Sequence, residues 1–174
     1  MEEQPVDEQE IWAVLEKALR GACEQFVESR IQEGENLKLD LIEKLDGMIS
    51  DIEAIEKRSP EILQAYRTKL TEKVQELLGD TQIEESRIAT EVILYADKIC
   101  TDEETVRLHS HIESMKATLL EGGSIGRKLD FIAQEMNREA NTILSKANDL
   151  VTSNLAINLK TEIEKVREQI QNIE

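Results

Sequence analysis

The stretch GRKLDFIAQEMNREANTILSKAND, residues 126–149, decides the fold class because apolar residues recur in it at helical spacing. At about 100° per residue, an α-helix brings these residues together on one face. They are Leu129, Ile132, Ala133, Met136, Ala140, Ile143, Leu144 and Ala147. A stripe this narrow predicts a helix over about 125–147 that packs one face into a core and keeps the rest of its surface polar.

Two polar rows border this stripe on the predicted helix. One holds Lys128, Glu135, Glu139, Thr142 and Lys146, and the other holds Asp130, Gln134, Asn137, Asn141 and Asn148. Glu135 and Glu139 are like charges four residues apart, an arrangement that costs about a few tenths of a kcal/mol on an isolated helix. A divalent cation bound between them reverses this cost, which makes the pair a candidate metal site.

Each row also has a purely structural interpretation. The lysines of the first row can offset its glutamates on a solvated face, as is common on helices. The amides of the second row can form hydrogen bonds across a helix interface. The residues alone leave both interpretations open, and the functional one adds phosphate binding by Lys128, Arg138 and Lys146.

Helical spacing extends over the whole chain, whose 40% hydrophobic and 3% aromatic residues suit helices better than strands. It predicts one long helix over about 7–58. Ser59 is a suitable N-cap and Pro60 a suitable first residue for a second helix, which ends at Gly79–Asp80. Two helices joined this closely form an antiparallel hairpin.

Four further helices are predicted. They cover about 84–99, the segment between Thr101 and Gly122, about 125–147 and about 153–173. Thr101 and Glu104 have the spacing of a capping box at the start of the second of these. The predicted fold is therefore all-α, with about six helices. A long antiparallel hairpin occupies domain 1–80, and a compact helical bundle occupies domain 81–174.

The charge and composition limit the function. The formal net charge of −16 and the pI near 4.6 exclude simple adhesion to nucleic acid or to an anionic membrane, since both require a positive field. Any contact with RNA is therefore local or assisted by a metal. No apolar run approaches the roughly 20 residues of a membrane span, and the acidic start MEEQPVDEQE differs from a signal peptide, which predicts a cytoplasmic protein. P-loop, dinucleotide-binding and HExxH motifs are absent, so the sequence gives no support for nucleotide hydrolysis, dinucleotide redox chemistry or zinc proteolysis.

Two further clusters hold candidate functional residues. In RLHSHIE, Arg107 and His111 share a helix face, and His111 is suited to general acid–base catalysis near neutral pH. A packed, hydrogen-bonded histidine is the alternative. In ATEVILYADK, Glu91 and Asp97 are candidates for further oxygen ligands of a metal, and surface ion pairing is the alternative.

Four segments together resemble the YicC-like (YicC/YloC) endoribonuclease family of bacteria. They are RIATEVILYADK, EETVRLHSHIE, GRKLDFIAQEMNREANTILSKAND and LKTEIEKVREQIQNIE. The last two are long and specific, all four follow the order and distances of the family, and the similarity extends back over nearly the whole chain. Members of the family carry a further N-terminal domain, so we expect this sequence to represent the C-terminal part of the family pattern.

The resemblance implies a cytoplasmic endoribonuclease that cleaves single-stranded RNA with Mg²⁺ or Mn²⁺ and assembles as a ring-like homo-oligomer, such as a hexamer. Neither DNA nor a membrane is expected as a partner. Assigned by side-chain chemistry, the catalytic residues are His111, Glu135 and Glu139, and the metal ligands are Glu135, Glu139, Glu91 and Asp97. The RNA-binding residues are Arg107, Arg127, Lys128, Arg138 and Lys146. The alternative is an oligomerisation and RNA-clamping scaffold whose chemistry lies in the N-terminal domain of the family.

Overall fold

The structure, a computed structural model, describes residues 8–78 and 84–173 and forms five α-helices in them. These are α1 (Glu8–Leu78), α2 (Glu85–Ile99), α3 (Asp102–Glu121), α4 (Gly126–Lys146) and α5 (Leu150–Ile170). The described residues contain no β-strand, so the predicted all-α class is confirmed. Helices α2 to α5 also begin and end close to the predicted positions. Within the same residues, no helix combines the length and hydropathy needed to cross a membrane.

The predicted turn at Ser59–Pro60 is wrong, because α1 continues through Pro60. Residues 8–78 therefore form one helix, and the hairpin is absent from them. The apolar positions 41, 45, 48, 52 and 55 alternate in steps of four and three, and Ser59, Ile62 and Tyr66 continue the same alternation. Packing on both sides of the proline keeps the helix together, although Pro60 has no N–H for the hydrogen bond to the Glu56 carbonyl.

Replacing Pro60 with alanine is expected to raise the free energy of unfolding by about 2 kcal/mol, since proline in a helix interior costs about 3 kcal/mol relative to alanine and returns part of that through the unfolded chain. Pro60 is exposed, so the change removes no packing. Urea denaturation followed by circular dichroism measures the difference. A lower midpoint for Pro60→Ala would indicate that the chain turns at this residue.

The chain divides into two compact units, Met1–Asp40 and Leu41–Glu174. The described residues of the first unit, 8–40, all belong to α1, and none of them is buried. The second unit contains the core. The domain boundary predicted between residues 80 and 81 lies outside the described residues, whereas the division between these units falls within α1.

In the second unit, α4 packs between α3 and α5. Six of the eight residues of its predicted apolar stripe are buried, while Leu144 and Ala147 are half-buried, and α3 and α5 contribute their own buried stripes. The part of α1 after Asp40 buries Leu41, Leu45, Met48, Ile52 and Ile55. Helix α2 contacts α1 through stacked rings, with the centroids of Tyr66 and Tyr95 lying 3.7 Å apart.

Ion pairs link α1 to α3 beside these apolar contacts. Lys116 Nζ lies 2.6 Å from Asp46 Oδ1 on α1 and 3.1 Å from Glu113 Oε1 on its own helix. The hydrogen bond to Asp46 raises the pKa of Lys116 above its ordinary value, outweighing the opposite effect of burial. The ammonium therefore stays charged and holds the two helices in register.

Local signals explain the helix ends in this unit. Gly122 and Gly123 follow α3 with φ values of 72° and 81°, backbone angles that L-residues with a side chain rarely adopt. Asp149 caps α5, accepting hydrogen bonds from the backbone N–H groups of Val151 and Thr152. Burial alone would raise the pKa of Asp149, but its hydrogen bonds with Thr152 and Val151 and the charge of Arg58 outweigh it, so the pKa lies below its ordinary value. The cap therefore stays ionised.

Candidate functional site

One polar row of α4 faces α3 and pairs with it. Arg107 Nη1 donates to Glu139 Oε1 at 3.5 Å, and Lys146 Nζ donates to Glu104 Oε1 at 2.8 Å. We call Glu104, Arg107, Glu139 and Lys146 the α3–α4 seam. Its partners lie 32 and 42 residues apart in the chain, so only the antiparallel packing of the two helices brings them together. Arg107 also pairs with Glu103 on its own helix.

The two carboxylates of the seam are buried, with 5% of Glu104 and 8% of Glu139 exposed. A buried carboxylate is costly unless a cation or hydrogen-bond donor accompanies it. Lys146 supplies one by donating to Glu104 and also to the carbonyl oxygen of Cys100 at 2.8 Å. Glu104 Oε2 is buried and lacks a hydrogen-bond partner. The seam is therefore a strip of charged side chains in which each buried carboxylate is paired with a cation from the other helix.

Glu104 was not predicted as a seam residue. The capping box predicted for Thr101 and Glu104 is wrong, because Thr101 makes no side-chain capping hydrogen bond and Glu104 turns to Lys146 instead. The capping spacing is a local signal, whereas its actual partner is distant in sequence. Glu104 lies inside the fold together with Thr105 and Leu108, which are buried on the same helix.

His111 lies along the same side of α3 as Arg107, one turn further on, and is half-buried. The pairs 104–146, 107–139 and 121–128 set an antiparallel register between α3 and α4. This register places His111 level with Glu135, one turn before Glu139. His109 projects elsewhere, with its Nε2 3.5 Å from Glu56 Oε1 on α1. The two histidines therefore have different surroundings, and His111 is the one beside the seam.

The other polar row of α4 faces α5. Asn137 Nδ2 donates to Glu164 Oε1 at 2.7 Å, and Arg167 Nε donates to Asp130 Oδ1 at 3.1 Å. Gln134 Nε2 donates to the second oxygen of Asp130 at 2.7 Å. These bonds support the structural interpretation of the row, in which side-chain amides and carboxylates join two packed helices.

The expected metal ligands are not assembled into one site. Glu139 is held by Arg107, and Glu135 is held by Arg138 at 3.0 Å. Glu91 and Asp97 are exposed on α2. Across residues 8–78 and 84–173, no group of three or more His, Cys, Asp or Glu side chains is placed to hold a metal ion. The described residues therefore do not fit a complete divalent-cation site.

The expected RNA-binding residues fall into two groups. Arg107 and Lys146 belong to the seam, where carboxylates hold them. Arg127, Lys128 and Arg138 are exposed on α4. Lys128 Nζ lies 3.5 Å from Glu121 Oε2, a long contact between two exposed side chains. Such surface pairs contribute about 0–1 kcal/mol to stability. Arg127, Lys128 and Arg138 can therefore bind other anions.

Comparisons with known proteins agree on one family. The sequence pattern of the family described as "Endoribonuclease YicC-like, C-terminal" matches residues 55–174. A protein of Clostridioides difficile (strain 630) named "Probable endoribonuclease YicC" is 46% identical over 175 residues, which cover 100% of this chain and 60% of that protein. A protein of the same name from Haemophilus influenzae is 36% identical over 149 residues, 86% of this chain and 51% of that protein. The chain thus spans roughly half of these curated relatives.

Proposed function

This chain belongs to the YicC-like endoribonuclease family, and on that basis we propose that it forms the helical part of an endoribonuclease that cleaves single-stranded RNA. The observation that carries the proposal is the α3–α4 seam, where Arg107 and Lys146 lie along one side of the fold beside a half-buried His111. Cleavage of a phosphodiester needs cationic groups for the phosphate and a group that exchanges protons with the reacting oxygens. The seam and its histidine supply both kinds of group.

Each of these side chains has an assigned role in the proposal. His111 exchanges a proton with the attacking or the leaving oxygen, and Arg107 and Lys146 stabilise the negative charge that develops on the phosphate. Glu139 positions Arg107, since the ion pair fixes the direction of the guanidinium before RNA arrives. Entering phosphate replaces a carboxylate oxygen as the partner of the cation.

We also propose that cleavage depends on Mg²⁺ or Mn²⁺. No step is assigned to the cation, because the described residues hold no complete ligand set for it. Glu135 and Glu139 are the two expected ligands on α4. In the single chain, Glu135 pairs with Arg138 and Glu139 pairs with Arg107. We therefore expect millimolar Mg²⁺ or Mn²⁺ to leave the thermal unfolding midpoint of the chain alone unchanged.

The proposal extends to assembly and location. We propose a homo-oligomer, a hexamer, in the cytoplasm. Residues 8–40 support self-association because they expose large apolar side chains, among them Ile11, Trp12, Leu15, Leu19 and Phe26, without burying any residue. An isolated helix without a packed face is marginally stable in water, so contact with another protein surface stabilises this segment.

A second candidate is an oligomerisation and RNA-clamping scaffold whose chemistry lies outside this chain. Two observations favour it. The net charge is −16, and the seam cations are already paired with carboxylates. On this alternative, the seam only holds the helices together, and the helical part grips RNA without cleaving it.

Cleavage of labelled single-stranded RNA by the purified chain separates the two candidates. With Mn²⁺ or Mg²⁺ we expect shorter products to accumulate, and with chelator we expect intact RNA, because neutralisation of the phosphate by the cation is lost. A duplex of the same sequence is the matched control and is expected to stay intact. RNA that is bound but intact under every condition supports the scaffold and contradicts an active site on this chain.

A further inference from the structure

We propose that the outer face of α4 is a binding platform for single-stranded RNA, on which Phe131 stacks against a base while Arg127 and Arg138 bind phosphates. The inference rests on the proposed function and adds the place where the substrate strand lies. The α4 platform consists of Arg127, Phe131, Gln134, Arg138, Asn141 and Ser145. None of the assigned roles in cleavage uses Phe131.

The platform is one continuous strip. Its members recur in alternating steps of four and three residues, so they share one face of α4 within about a quarter of the helix circumference. All of them are exposed. The buried stripe of α4 occupies the opposite side, and the row facing α3 lies on one flank. Asp130 and Asn137, which bond to α5, lie on the other flank, whereas Gln134 and Asn141 of the same row are exposed and form the edge of the platform. Within the described residues of the second unit, 41–78 and 84–173, the strip therefore stays exposed.

Phe131 is 63% exposed, although phenylalanine normally belongs to the interior. Its neighbours along the strip are Arg127 on one side and Gln134 and Arg138 on the other. An apolar partner surface would favour apolar neighbours, whereas a single aromatic ring between cations and amides suits a nucleic acid base flanked by phosphates. Stacking tolerates every base because each has a flat π-face, so the platform binds RNA with little sequence preference.

Charge on the strip favours the same partner. The chain carries a net charge of −16, yet the platform contains two arginines and no acidic residue. The nearest carboxylates on α4, Glu135 and Asp130, are paired with Arg138 and Arg167. The side chain of Arg138 is 75% exposed, so its pair with Glu135 is a surface pair that phosphate can replace at little cost. The platform thus offers phosphate two exposed arginines on an acidic protein.

The spacing of the two arginines suits a strand laid along the helix. Arg127 and Arg138 are eleven positions apart, which corresponds to about 16 Å along the α4 axis. Phe131 lies between them. A phosphate at each end and a base on the ring require an unpaired strand, because a duplex keeps its bases stacked on each other. The platform therefore selects single-stranded over double-stranded RNA.

The test is the affinity of the chain for a fluorescein-labelled single-stranded oligoribonucleotide, measured by anisotropy in chelator and in Mg²⁺. We expect Phe131→Ala to weaken binding by about 5- to 100-fold, the usual loss when one stacking side chain is removed. Phe131→Trp keeps a flat ring and is expected to bind as the unsubstituted chain does. Ile93→Ala is the control, since Ile93 is a large apolar side chain with similar exposure on α2, 67% against 63%, and its binding is expected to stay within twofold.

Salt dependence separates the arginines from the ring. Each phosphate contact with single-stranded nucleic acid contributes about 0.7 to the slope of log K against log salt concentration. The double variant Arg127→Gln, Arg138→Gln is therefore expected to lower that slope by about 1.4, whereas Phe131→Ala leaves the slope unchanged. Circular dichroism confirms that the exposed substitutions leave the helices intact.

Three results would overturn the platform. If the unsubstituted chain binds RNA and Phe131→Ala binds equally well, the platform is wrong while the proposed function stands. If the unsubstituted chain binds no RNA in either condition, both proposals fall. Equal losses for Phe131→Ala and Ile93→Ala also contradict a stacking role specific to α4.

Discussion

His111→Gln is expected to slow RNA cleavage by about 10²- to 10⁴-fold, the usual contribution of a general acid or base. Glutamine keeps a polar side chain of similar length but cannot exchange a proton near neutral pH. His111 is half-buried, lies one turn beyond Arg107, and is level with Glu135 across the seam. Its loss therefore removes proton transfer without removing an ion pair of the seam.

The control for His111 is its neighbour on the same helix. His109→Gln changes a histidine that contacts Glu56 on α1 and does not lie on the seam, so its cleavage rate is expected to stay within about twofold. The rate is measured under single turnover at several pH values, where His111→Gln should also lose one limb of the pH profile. Equal rates for the two variants, or a slower His109 variant, would remove His111 from the proposed mechanism.

Two leucines on α1, Leu45 and Leu15, are expected to contribute very differently to the free energy of unfolding. Leu45→Ala should lower the free energy of unfolding by about 2–5 kcal/mol, because Leu45 is 0% exposed and its removal leaves a cavity in the core. At low protein concentration, where the copies are separate, Leu15→Ala should change it by less than about 0.5 kcal/mol, because Leu15 is 54% exposed in the single chain. The same substitution on one helix thus distinguishes the two units of the chain.

Urea denaturation of both variants, at a low and a tenfold higher protein concentration, measures the difference. The Leu15 variant is the matched control for helix propensity, since both substitutions exchange leucine for alanine within α1. A large loss for Leu15→Ala that grows with protein concentration would mean that this residue is buried between copies. Equal losses independent of concentration would contradict the division at Asp40–Leu41.

The spacing of apolar residues predicted most of the helices, because the pattern that marks a buried helix face lies within one segment of the sequence. The stripe of α4 was predicted residue by residue, and Leu129, Met136 and Ile143 are all buried. Pro60 misled the prediction because a suitable N-cap and first-turn residue are local signals too. The spacing of four and three residues that continues through Ser59, Ile62 and Tyr66 was the better guide, because a turn at Pro60 does not require that spacing to continue.

The candidate site was only partly predictable. Side-chain chemistry identified Arg107, His111, Glu139 and Lys146, and packing brings them to one side of the fold. The same packing gives Glu139 an arginine as its partner. Pairing across 32 residues depends on the register of two helices, which helical spacing within one segment does not specify.

The sequence by itself determined the helical class and the apolar stripes of the helices, because each depends on the spacing of residues along one helix. The tertiary structure decided which polar row faces which neighbour. The row of α4 that contains glutamates and lysines contacts α3, and amides of the other row contact α5. Glu104 pairs with Lys146. These pairings arise only when separate helices pack, because the free energy of each buried carboxylate depends on the cation that another helix brings beside it.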